Sequence, residues 1–118
     1  MGVCVDEHIE TIEAGYEYLL AYAAQGKDTD VSGSGAVSEV RTTLNDMSAA
    51  AAAIRDELGT SDHAFHAVVV DDAGKAHAAI SLVLAQSGIS SELVDNLNAS
   101  IHLRALLTDL FLLSEAKT

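Results

Sequence analysis

Proline and tryptophan are absent from this chain, cysteine occurs once, phenylalanine twice, and lysine and arginine together only six times. Without proline, nothing locks φ or removes a backbone donor inside a helix, so long helices are permitted along the whole length. With so few aromatics, the interior must be built from aliphatic side chains and alanine, a composition that favours close helix–helix approach. A single cysteine, Cys4, excludes an internal disulfide.

The shortage of basic residues excludes more. Eighteen acidic residues against six basic ones give a formal net charge of −12. Nucleic-acid affinity comes chiefly from Lys and Arg neutralising phosphates, so no nucleic-acid partner is expected. Anionic membrane surfaces are disfavoured for the same reason. The charge reads as a solubilising surface. The segment before Asp6 and Glu7 is too short for a signal-peptide core, and no run approaches the roughly 20 apolar residues that span a bilayer, since Asp109 interrupts even the leucine-rich end. A cytoplasmic location is expected.

What is present is helical periodicity. From Val37 to Leu58 the apolar residues fall at Val37, Val40, Leu44, Met47, Ala51, Ile54 and Leu58. That alternating three-four spacing marks a helix with one narrow stripe packed along a partner. Its run of alanines lets neighbouring backbones come close on more than one side, as suits a central element. Three further stripes flank it. Ile9, Ile12, Tyr16, Leu19, Leu20 and Ala23 mark a first helix, residues 6–25, capped by Asp6 and ended by Gly26. Phe65, Val69, Ala73, Ala76, Ile80 and Val83 mark a third, residues 62–86. Leu93, Val94, Leu97 and Ile101 open a fourth, residues 90–116. With the central helix at residues 36–58, residues 26–35 are left without periodicity and read as a mobile connector. The expected fold is one all-α domain over residues 1–118, an antiparallel four-helix bundle of up-and-down or one-crossover topology.

The fourth helix carries a surplus. Leu103, Leu106, Leu107, Leu110, Phe111, Leu112 and Leu113 cover most of its circumference at about 100° per residue. A four-helix monomer buries about one stripe per helix, so a second copy of the chain is expected to cover the excess. Leu103, Leu106, Leu107, Leu110, Phe111 and Leu113 are the interface candidates. Arg104, the one basic residue there, either pairs with a carboxylate or lays its stem on leucine with its head in solvent.

Chemistry-bearing residues are sparse. His63, His66 and His77 lie within a stripe about 80° wide on the third helix, together with Val70 and Gly74. Imidazoles at i and i+3 can share one metal ion, so His63 and His66 form a candidate metal pair that needs a further ligand from another helix or chain. His77 lies about 16 Å from His66 along the axis and cannot join them. The ferritin-like di-iron pattern requires a Glu three residues before its histidine, and no histidine here has one. A covalent c-type haem needs two cysteines. Histidine phosphotransfer domains resemble this chain in size and class, which would make His77 the phosphorylated residue. That family places Lys and Gly soon after its histidine, whereas His77 is followed by Ala78, Ala79, Ile80 and Ser81. No nucleophile elbow, Walker loop or dinucleotide turn is present. The leading expectation is a non-enzymatic, homo-oligomeric interaction or accessory protein with no cofactor. A metal- or haem-binding bundle using His63 and His66 is the alternative, and phosphotransfer through His77 the third.

Overall fold

The chain's backbone wants helix nearly everywhere, and the places where it stops are set by individual side chains. A computed structural model describes residues 2–33 and 36–116, with side chains from Val5 onward; the side chain of Cys4, and the connector's Ser34 and Gly35, lie outside the described residues. Within them the chain forms five helices and no strand: α1 (Gly2–Ala23), α2 (Glu39–Leu58), α3 (Ala64–Leu84), α4 (Ser91–Ala99) and α5 (Ile101–Glu115).

The starts of α2, α3, α4 and α5 are capped. The Ser38 hydroxyl accepts the Arg41 N–H, the Ser90 hydroxyl accepts the Leu93 N–H, and the Ser100 hydroxyl accepts the Leu103 N–H. Such caps satisfy amide donors that have no partner inside the helix. At α3 the capping group is unexpected: His63 Nδ1 accepts the Phe65 N–H at 3.2 Å. Gly26, at φ +66°, turns the chain out of α1 through a left-handed conformation that glycine adopts without strain.

The expected fourth helix over residues 90–116 is two helices. Ser100 is extended, with φ −64° and ψ 143°, and serves both as the end of α4 and as the cap of α5. Serine competes with helical backbone bonding through its own side chain, which is why it can break a helix here without proline or glycine. The second helix begins at Glu39 rather than at residue 36, and Val37, the first position of the expected stripe, lies exposed before it.

α2 packs between α1 and α3, while α4 lies mainly on α1 and α5 mainly on α3. The molecule is elongated, 49 × 23 × 19 Å. Val40, Leu44, Met47, Ala51, Ile54 and Leu58 of α2 are buried, as are Val69, Ala73, Ala76, Ile80 and Val83 of α3. Where α1 meets α2 the helices approach closely: a Cβ on Gly15 would fall 2.5 Å from the buried Met47 side chain. On α1 the expected stripe is shifted: Tyr16 is only half-buried and Leu20 is exposed, while Tyr22, outside that stripe, is buried.

The segment after α1 is pinned rather than loose. Asp30 Oδ1 accepts the Ile89 N–H at 2.7 Å, and its Oδ2 accepts the Ser38 hydroxyl at 2.5 Å and Arg41 Nε at 2.8 Å. Arg41 also donates to the carbonyls of Leu84 and Gln86. Tyr22 donates its hydroxyl to the Ile89 carbonyl, and Ser91 its hydroxyl to the Tyr22 carbonyl. One pole of the molecule is thus tied together by groups from α1, the connector, α2, the end of α3 and the start of α4.

Candidate functional site

The opposite pole is open. There the start of α1, the end of α2, the α2–α3 turn, the start of α3 and the end of α5 converge on a cleft of about 390 Å³. Val5, Ile9, Leu58 and Leu113 supply its apolar lining, and Asp6, Glu57, Ser61, His66 and Ser114 its polar groups.

His66 is held by the turn that precedes its helix. Its Nδ1 lies 2.8 Å from the Ser61 hydroxyl oxygen, which also accepts the His63 N–H at 3.1 Å. The His63 ring stacks on that of His66, with centroids 4.6 Å apart and planes 29° from parallel. Both Nδ1 atoms are therefore occupied, one in capping α3 and one on Ser61. Each ring keeps its Nε2 for another partner, and a shared ion would still need further donors from another helix or chain. No group of three or more His, Cys, Asp or Glu among the described residues is placed to hold a metal ion. His77 lies three turns further along α3, half-buried. Between His66 and His77, a Cβ on Gly74 would sit 3.4 Å from Arg55 Nε. Arg55 of α2 therefore lies against the stripe at Gly74, about one turn from His77.

The leucine-rich end of the chain divides into an inside and an outside. Leu103, Leu106, Leu107 and Leu110 are buried within the chain itself, packed toward α3 and its neighbours. The surplus expected to meet a second copy is therefore smaller than the six candidates suggest: Phe111 is exposed, Leu113 is half-buried in the cleft, and Leu112 and, at the start of α5, Ile101 are exposed as well. Arg104 is exposed.

Buried on the inner side of α5 is the acid that interrupts its apolar run. Asp109 is 7% exposed, and its Oδ2 has no hydrogen-bond partner among the described residues. Burial, together with a hydrogen bond and repulsion from the half-buried Asp72 of α3, pushes its pKa up to about 7. Two carboxylates meeting without a cation are stable when they share a proton. Asn98, near the end of α4, is likewise buried with both amide atoms unpartnered among the described residues. At the pinned pole the balance is reversed. Burial opposes the charge of Asp30, but the hydrogen bonds from Ser38, Ile89 and Arg41 outweigh it and hold its carboxyl below the usual range.

Among the described residues no helix is long and apolar enough to cross a membrane. No family model, curated protein or solved structure matches this chain.

Proposed function

We propose that this is a small non-enzymatic accessory protein that works as a homodimer, joined through the outer face of α5. Its framework is a helical bundle of four layers, in which α4 and α5 together take the place of a fourth helix. The observation that carries the reading is the composition of that outer face. Ile101, Phe111 and Leu112 are 71%, 53% and 54% exposed. At helical spacing they join Ala105 and Thr108 in one stripe. Only Arg104 and Glu115 bring full charge to it, on the same edge and about 16 Å apart along the axis. In a protein of net charge −12 this face carries one charge of each sign and so presents little net repulsion to a copy of itself.

The two charges also suit a two-fold axis. Antiparallel pairing of two α5 helices sets Arg104 of one copy beside Glu115 of the other, twice, with the apolar stripe between them. The test is a charge swap. Arg104→Glu weakens the dimer, and adding Glu115→Arg restores it, as read by sedimentation equilibrium. A dimer indifferent to Arg104→Glu would place the interface elsewhere, and an unrestored double variant would overturn the antiparallel register.

A further inference from the structure

We infer that the cleft at the open pole is a binding site for a small amphipathic organic cation, an ammonium group joined to an apolar body. The inference does not depend on self-association. Val5 and Leu58, which line the cleft, are each 9% exposed, the least covered members of an interior whose other residues are mostly at 0–5%. That residual exposure faces a cleft whose volume lies within the range of small-molecule sites. Five separate segments form its wall, so its shape follows from the packing of the fold and does not depend on one loop.

Charge selects the ligand. Among the described residues the lining has two carboxylates, Asp6 and Glu57, and neither Lys nor Arg. An anion entering would be repelled by both and by the net charge of the chain. A neutral amphiphile would gain the apolar floor alone. An ammonium group on an apolar body gains both, and the Ser114 hydroxyl in the same lining can accept one of its N–H donors.

Three matched probes separate these contributions: 4-phenylbutylamine, 4-phenylbutanol and 4-phenylbutyrate, titrated calorimetrically into the full chain, with amide shifts followed by NMR. The amine is expected to bind roughly fivefold more tightly than the alcohol, and the acid more weakly than either. Shifts should centre on Val5, Ile9, Leu58, Ser61 and His66. In the Asp6→Asn, Glu57→Gln variant, amine affinity should fall about three- to tenfold, to that of the alcohol, while alcohol affinity stays put. Absence of amine binding at millimolar concentration, equal binding of amine and acid, shifts centred elsewhere, or an unaffected double variant of wild-type melting temperature would each overturn the assignment.

Discussion

Asp109 of α5 and Asp72 of α3 meet across a helix interface with no cation of the described residues between them, the first nearly buried and the second half so. Because the folded pKa of Asp109 is raised to about 7 from 3.8, the unfolded chain releases this proton first as the pH rises. Stability therefore falls between about pH 4 and pH 7, by a few kcal/mol in all, and the loss is complete above that window. Asp109→Asn keeps the shape without the charge. It should be about 2 kcal/mol more stable than wild type at pH 8, with the gain vanishing near pH 4. Urea melts at the two pH values check this, and an equal effect at both would contradict a proton shared by the pair.

The acid side of the same profile belongs to Asp30. Its folded pKa is depressed, so its contribution is present above its unfolded value and is lost as pH falls through the folded one. With Asp109 acting in the opposite direction, wild-type stability should peak at about pH 4 to 5 rather than at neutrality. A series of thermal melts from pH 2.5 to 9 locates the maximum.

Removing the clamp should be costly at every pH above that limb. Asp30→Ala leaves the Arg41 guanidinium and the Ile89 N–H without their acceptor in a site where the Asp30 side chain is 2% exposed. The expected loss is about 3 kcal/mol, read as a lower urea midpoint with little change in slope. Arg41→Lys should recover only part of the clamp, because an ammonium cannot reach the carboxylate and the Leu84 and Gln86 carbonyls in one plane.

Three leucines of α5 should respond differently to the same introduced charge. Leu110 is fully buried, and Leu110→Asp should unfold the chain rather than split a dimer. Leu113→Asp borders the cleft and should leave the chain folded at modest cost. Leu112→Asp places the charge on the exposed stripe and should yield folded monomer. Circular dichroism with size-exclusion light scattering distinguishes the three.

The interior was legible wherever one apolar stripe met one neighbour. Val40, Leu44, Met47, Ala51, Ile54 and Leu58 are buried along α2 as their spacing requires, and the α3 stripe from Val69 to Val83 follows suit. What escaped was decided by partners remote in sequence. Asp30 is pinned by Arg41 and by Ile89, 59 residues away, and no local pattern marks an Asp in a Gly- and Ser-rich segment as a clamp. Ser100 carried a local signal, a capping serine three residues before Leu103, but the unbroken leucine periodicity on either side concealed it. The histidine stripe was visible as a stripe. That His63 spends its Nδ1 on a helix cap, and His66 its own on Ser61, depended on where α3 begins.

The most direct measurement is native mass spectrometry of the wild-type chain over a hundredfold range of concentration. Self-association through α5 predicts a species of twice the 12.3 kDa chain mass that grows with concentration. A spectrum holding only the 12.3 kDa species across the whole range would contradict it.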